Sequence, residues 1–466
     1  MPPQKIIVIG AGSASFGQST LATILRSQAL QGSTLGLVDL NRQGLEIMAA
    51  LAGRMNREWD ARMSIEYTTN RAELLPGADF VILSIEPGPR EELWQQDWQI
   101  PLKHGLRQPY GENGGPGGFA HTARNIPVIL DVARDIERLC PDAWLVNFTN
   151  PLPRLCLAVT RYTRTKSVGL CHQINMAHLI ALVVLAERWG IELPPKISTH
   201  PDPAAPHNKR QWVDLAYERV DVKTIGLNHF IWMVDIRDRA TGEDLYPLFR
   251  RRFHDFRPDF EPLTRKMFQV FGLCPGPGDS HLCEYLSWGH DPRAKPWETY
   301  NLQLYDWQAS QDRRQARARQ AAEMASGRQP IDELRRVRSE GAVELIEAIA
   351  ANTHAYIPTV NIPNQGYIPN LPDEIIVEVP AVADSAGIHG LAQAPLPEPI
   401  AELCRREAAL AELVVEAAVT GSRELALQAL LLDPMIGDFG QAQNILADYL
   451  QAYAEWLPQF HATETA

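Results

Sequence analysis

The 466-residue sequence predicts an α/β fold, with a doubly wound parallel sheet over residues 1–200 and a mixed α+β domain over 201–466. Three features carry that expectation. Short aliphatic and β-branched runs recur along the first half, longer segments of helical period separate them, and the first run ends in a glycine-rich turn.

Taken in order, Ile6–Ile9, Leu35–Val38, Phe80–Ser84, Trp144–Val146 and Ser167–Leu170 read as strands. Their apolar runs lack the alternation of a half-exposed strand, which predicts burial on both faces. Ser19–Ser27 and Ala123–Leu139 carry the helical period between them. The stretch PDPAAPHNKR, Pro201 to Arg210, reads as a loop between domains. Beyond it Val220–Asp238 is strand-like, and helical segments follow around 311–352 and 400–430.

Composition narrows the function classes. A formal net charge of -12 argues against nucleic acid, which needs a basic face. The basic run Asp312–Gln320 reads as a solvated helix face. The longest apolar run, Leu179–Ala186, is far shorter than the roughly 20 residues of a membrane span, and the N-terminus does not resemble a signal peptide. Six scattered cysteines suggest reduced thiols. The expectation is a cytoplasmic protein with a small-molecule partner, no nucleic acid and no membrane.

The run IIVIGAGSASFG places Gly10, Gly12 and Ser13 between a strand and a helix. Such a turn needs a tight bend at Gly10 and no side chain at Gly12, so that the backbone can approach a pyrophosphate at a helix N-terminus. The third glycine of the usual pattern is displaced. Asp39, at the end of the second strand, is placed to bind the ribose 2′-hydroxyl of NAD and to repel the 2′-phosphate of NADP. This is the start of a Rossmann-type domain with NAD as its cofactor; Gly10, Gly12, Ser13, Phe16, Asp39 and Asn147 are the candidate contacts.

Polar clusters recur where strands should end, the position at which such sheets collect ligands. They are Asn147, Thr149 and Asn150 in LVNFTNP, Cys171 and His172 in GLCHQIN, and Asn228 and His229 in TIGLNHF. Cys171 and His229 can hold one divalent metal. Two protein ligands are too few for a closed structural zinc site and leave room for substrate oxygens. The loop GPGDSHLCEY adds Asp279, His281, Glu284 and Tyr285, and NIPNQGYIPNLP adds Asn364, Gln365 and Asn370 as sugar-contact candidates.

In their order along the chain, GAGS with DL, GGPGG, NFTNP, CHQ, GLNH, GDSHLCEY and NQG resemble glycoside hydrolase family 4, the NAD- and divalent-metal-dependent glycosidases. The resemblance spans nearly the whole chain and implies a fold like that of lactate and malate dehydrogenases. It implies cleavage by hydride removal from sugar C3, loss of the C2 proton, elimination at C1, addition of water and re-reduction. Cys171 and His229 match the family's metal ligands, with Mn2+ the usual ion. Asp279 matches the C2 base with Tyr285 as the alternative, and His172 lies beside the metal. Asn150, Gln173, Asn228, His281 and Asn364 are the implied substrate contacts. Gly114–Gly118, with Arg124 and Asn125 after it, resembles the family's loop between cofactor and substrate.

The residues after Cys171 do not match the Asn-Val/Ile-Pro of the phospho-glucosidase branch, which disfavours 6-phospho sugars. GDSHLCEY and NQGYIPNLP look closest to the α-galacturonidase branch, which carries Glu where this chain has Gln173. The implied substrate is an unphosphorylated α-glycoside, with an α-galacturonide or other uronide favoured over an α-galactoside or α-glucoside. A homodimer or homotetramer is implied. The competing expectations are an NAD-dependent dehydrogenase of the lactate/malate type and a non-catalytic NAD- or sugar-binding sensor.

Overall fold

The computed structural model describes residues 1–461 apart from 14–16, 109, 196, 198–207, 291–292 and 339. Its strands are β1 (Lys5–Ile9), β2 (Thr34–Val38), β3 (Ser64–Thr68), β4 (Phe80–Leu83), β5 (Trp144–Asn147), β6 (Lys166–Gly169), β7 (Val220–Leu227), β8 (Phe230–Asp238), β9 (Cys274–Pro275), β10 (Ala355–Pro363), β11 (Ile376–Asp384) and β12 (Gly387–Gly390). They form one sheet in the order β3-β2-β1-β4-β5-β6-β10-β11-β7-β8-β9, with β12 beside β11.

From β3 to β6 every pairing is parallel, in the doubly wound order of a dinucleotide-binding fold. The apolar run of β1 follows from cover on both faces. Ile6 and Val8 pack with Leu21, Leu45 and Met48 of helices Gly17–Arg26 and Arg42–Glu58. Ile7 and Ile9 pack on the other side with Phe119, Ile126 and Leu155 of helices Gly115–Leu139 and Leu152–Tyr162. Each such aliphatic side chain contributes about 1.5–3 kcal/mol on burial.

Beyond β6 the sheet turns antiparallel. β10 meets β6 at Asn361–Gly169, β11 runs antiparallel to β10, and β7 meets β11 at Glu378–Gly226. One row of paired residues therefore crosses four strands: Gly169, Asn361, Glu378, Gly226. Cys171 leaves the sheet two residues past one end of this row, and His229 three residues past the other.

The C-terminal helices return to the first half. Val414, Leu446 and Tyr449, of helices Glu398–Thr420 and Phe439–Ala452, share a cluster with Phe119 and Leu155. A fully buried bidentate pair pins them there. Arg124 Nη1 and Nη2 donate to the two Asp97 oxygens at 2.6 Å each, and the Tyr453 hydroxyl donates to Asp97 Oδ1 at 2.7 Å.

Several expectations change. β3 and helix Phe439–Ala452 were not expected. β3 is a sheet edge whose residues are at least partly exposed, so it lacks an apolar run. Gly114–Gly118 is the beginning of helix Gly115–Leu139 rather than a loop, with Gly114 as N-cap and a proline in the first turn. The glycines admit close approach, since a Cβ on Gly114 would lie 2.3 Å from the Glu284 carbonyl oxygen. Of the expected interdomain loop, 201–207 lies outside the described residues, and Asn208–Arg210 open a helix. Among the described residues no helix is long and apolar enough to cross a membrane.

Candidate active site

The glycine turn closes over the ends of β1, β2 and β4. Gly10 has φ 90°, and a Cβ there would lie 1.8 Å from the Ser84 carbonyl oxygen. Both demands exclude other residues. Gly12 N donates to Asp39 Oδ2 at 2.8 Å, and Asn41 N to Asp39 Oδ1 at 2.8 Å, so the half-buried carboxylate is held at the crevice. The displaced third glycine is Gly17, where a Cβ would meet the Ala11 carbonyl oxygen at 2.8 Å and Met48 Cε at 3.0 Å. The carbonyl of half-buried Ser13 accepts from Gly17 N, the first residue of helix Gly17–Arg26, at 2.8 Å. Phe16 lies outside the described residues.

Contacts link the ends of β4 and β5 to the second cluster. The Ile85 N–H, just past β4, donates to Thr149 Oγ1 at 3.0 Å, and the next residue, Asn150, donates from Nδ2 to Glu112 Oε1 at 3.3 Å. At the cluster, Cys171 Sγ and His229 Nε2 are 3.4 Å apart. Glu112, His229 and His281 each offer a ligand atom within 4.8 Å of one another. His229 stands at φ 64°, the left-handed region that costs a side-chain-bearing residue free energy, and its Nδ1 is buried without a partner.

The electrostatics suit a metal. Burial, reinforced by His281 and His172, holds His229 well below the usual imidazole value, so the ring is neutral, the form that a metal accepts. Burial, then the nearby Glu378 carboxylate, pushes the half-buried Cys171 thiol up, so that ionisation there requires a compensating cation. Glu378, fully buried, accepts from Asn228 Nδ2 at 2.7 Å and from Asn361 Nδ2 at 3.2 Å. Burial raises its carboxyl to about 7 against those two hydrogen bonds.

Glu284 organises the other side. Its Oε1 lies 2.8 Å from His281 Nδ1, and its Oε2 accepts from the backbone N–H of Asn113 (2.8 Å), Glu112 (3.1 Å) and Gly114 (3.3 Å). His121 holds the same loop from behind, with Nδ1 2.9 Å from the Glu112 carbonyl oxygen and Nε2 3.0 Å from Glu86 Oε2. Glu112, His121, Asn361 and Glu378 were not singled out in the sequence. The one signal for Glu112 was its place two residues before the Gly114–Gly118 run.

Other candidates are engaged elsewhere. Asp279 is not free at the cluster: both carboxylate oxygens accept backbone N–H groups at the start of helix Pro262–Phe271, from Leu263 (3.0 Å) and Thr264 (2.7 Å). Burial and Glu261 raise its carboxyl above the usual range. His172 is exposed and sits 3.3 Å from Glu340. Asn364 is 0% exposed and turned into its own loop, donating to the Ile368, Leu371 and Pro372 carbonyls and accepting from Ile368 N. Asn370 braces Leu396 in the same way. The Asn147 amide is spent on Thr149, and Arg124 on Asp97. Tyr285 packs on Phe230, 5.0 Å between centroids, and lines a cavity shared with Asn113 and Asn228. Gln173 is 3% exposed, and neither end of its amide has a partner.

Fold and site together define an enzyme of the dinucleotide-fold class. The family is explicit. The model of family 4 glycosyl hydrolases matches residues 5–185, and that of their C-terminal domain matches residues 224–436. The chain belongs to that family, which sets aside the plain dehydrogenase and the sensor. An α-glucosidase of Erwinia rhapontici is 33% identical over 97% of this chain and 98% of its own length. An α-galacturonidase of Bacillus subtilis (strain 168) is 27% identical over 96% of this chain and 97% of its own. Among solved structures, a 6-phospho-α-glucosidase from gut microorganisms, in complex with NAD and Mn2+, has the same fold. Its TM-score is 0.77 at 20% identity, over 98% of this chain and 99% of that one.

Proposed function

We propose that the chain hydrolyses unphosphorylated α-glycosides, neutral hexosides ahead of uronides, with NAD and a divalent metal, Mn2+ first, as cofactors. The observation that carries this reading is the meeting of Cys171 and His229 at 3.4 Å. The residues fit both groups: Gly10 and Gly12 leave no space that a side chain could take, the Cys171 thiol meets the neutral His229 imidazole, and a ligand atom of Glu112 lies within 4.8 Å of one on His229. When bound, the two supply a hydride acceptor and a Lewis acid.

The chain's own residues do the rest. Asp39 offers a carboxylate to a ribose hydroxyl. Asn150 and Asn228 present amides at the site. Gln173, buried with a free donor and a free acceptor, matches a sugar hydroxyl, which can serve both. A neutral amide there, and the higher identity to the α-glucosidase than to the α-galacturonidase, favour a neutral sugar over a uronide. For the C2 proton the candidate is Tyr285, which lines the cavity with Asn113 and Asn228 while both Asp279 oxygens are taken up by the helix start; burial and Glu284 push its phenol up, so its ionisation requires a nearby cation. Loss of that proton requires a carbonyl at C3, which hydride removal creates.

The test is a panel of p-nitrophenyl α- and β-glucosides, galactosides and galacturonides with NAD+, Mn2+ and thiol, each omitted in turn. Release from a neutral α-glycoside that needs all three is expected. Release without NAD+, or from β-glycosides alone, sinks the reading.

A further inference from the structure

We propose that Arg154 is the positioning residue behind the C2 base, its guanidinium supplying across a shared cavity the positive charge that a Tyr285 phenolate needs. This rests on Tyr285 as the base proposed above, but not on the identity of the sugar.

One cavity gathers the groups. Tyr285, Arg154 and Glu407 line it together with the amides of Asn113 and Asn228, and the rest of its wall is apolar. Helix Leu152–Tyr162 brings Arg154 there, and helix Glu398–Thr420 brings Glu407. Arg154, 5% exposed, is the cavity's one cation. Its Nη1 donates to the neutral Thr122 hydroxyl at 3.3 Å, and among the described residues no carboxylate forms an ion pair with it. Glu407 and Asp433 feel its charge but are engaged elsewhere. Glu407 Oε1 accepts from Arg406 Nη2 at 3.1 Å, and Asp433 Oδ1 accepts from Met435 N at 2.9 Å. Burial raises their carboxyls to about 7 and about 6, which weakens both as counterions near neutral pH. A buried guanidinium left in that state favours negative charge at the cavity wall.

Tyr285 is the group that can supply it. Among the described residues its hydroxyl has no hydrogen-bond partner. Burial pushes the phenol up, and the carboxylates of Glu284, Glu407 and Glu112 add to this. Arg154 alone of the surrounding charges favours the phenolate. The two side chains do not hydrogen-bond, so Arg154 acts by charge, which carries further between apolar walls than in water. In the step itself the phenolate oxygen takes the C2 proton, and the C2–H electron pair moves toward the C3 carbonyl, whose oxygen gains the negative charge. The phenol O–H so formed exchanges with water and later returns a proton to C2.

The test compares the parent with Arg154→Met, Arg154→Lys and Tyr285→Phe, all with NAD+ and Mn2+. The substrate is the best p-nitrophenyl α-glycoside, carrying hydrogen or deuterium at C2 or at C3, and circular dichroism checks folding. Arg154→Met should lower kcat by about tenfold or more with KM within about threefold, and should enlarge the isotope effect from C2 but not that from C3. Arg154→Lys keeps the charge and should bring kcat back to within about threefold of the parent. If Arg154→Met does not fold, Arg154→Gln, which retains a donor for Thr122, takes its place with the same expectation. A fall in both the neutral and the Lys variant that leaves the C2 isotope effect unmoved is a packing loss and overturns the proposal. If Tyr285→Phe loses kcat while the neutral Arg154 variant stays within about twofold of the parent, the inference about Arg154 alone falls. If Tyr285→Phe itself stays within about twofold, the base reading fails and takes the inference with it.

Discussion

Removing the Glu284 carboxylate perturbs both halves of the cluster at once. It is 1% exposed and serves four donors: three backbone N–H groups of residues 112–114, and His281. Glu284→Ala leaves them without an acceptor, at about 1–3 kcal/mol for each unmet buried donor. The two contacts at 2.8 Å, to Asn113 N and His281 Nδ1, alone give about 2–6 kcal/mol. The cost falls on the loop before helix Gly115–Leu139. At 1.4 kcal/mol per factor of ten, amide exchange in a peptide spanning 110–118 should speed up by about thirtyfold or more. Hydrogen–deuterium exchange read by mass spectrometry measures it. Glu284→Gln separates the two roles. Its amide oxygen can still serve the backbone, but its NH2 then faces His281 Nδ1 and drives the ring proton to Nε2, which shows in the imidazole nitrogen resonances. Exchange within about twofold of the parent in Glu284→Ala refutes the reasoning.

Three further outcomes follow from the same contacts. Asp97→Ala strands the buried Arg124 and should cost about 3–5 kcal/mol in thermal or chemical unfolding, with Asp97→Leu plus Arg124→Met restoring most of it; no loss in the single variant contradicts the pair's role. Gly12→Ala places a Cβ 2.8 Å from Asp39 Cγ, so NAD+ affinity by calorimetry should fall about tenfold or more, and an unchanged affinity argues against the crevice. Glu378 titrates near 7 when folded against 4.5 when free, so its contribution to stability is whole below about 4.5 and is lost as pH rises through about 7, a loss of about 3 kcal/mol at most. Glu378→Gln should flatten melting temperature against pH across that window, and parallel curves contradict it.

What the sequence reveals here depends on how far apart the cooperating residues lie. β1, the glycine turn and Asp39 are legible because strand, turn and helix are contiguous, and each step has a local signature. Cys171 and His229 are legible as polar residues at strand ends, though their meeting depends on the row Gly169–Asn361–Glu378–Gly226, assembled from four separate segments. Glu378 and Asn361 leave no local trace for the same reason, since cross-strand pairing brings them under the cluster. Asn364 and Asn370 brace loops in the structure, and amides that brace a loop and amides that bind a sugar look alike in sequence. Arg124 and Asp279 are held by the scaffold for a related reason: a buried polar side chain near a glycine-rich turn can serve the scaffold as well as a ligand. The expected helix at Ala123 begins eight residues earlier because its first turn is made of close-packed glycines, which carry no apolar period.

The central claim is cleavage through loss of the C2 proton. The most direct measurement runs the hydrolysis of the best α-glycoside in D2O with NAD+ and Mn2+ and examines C2 of the released sugar by NMR. The account predicts deuterium at C2 of the product. Release of a sugar that keeps its original C2 proton throughout contradicts it.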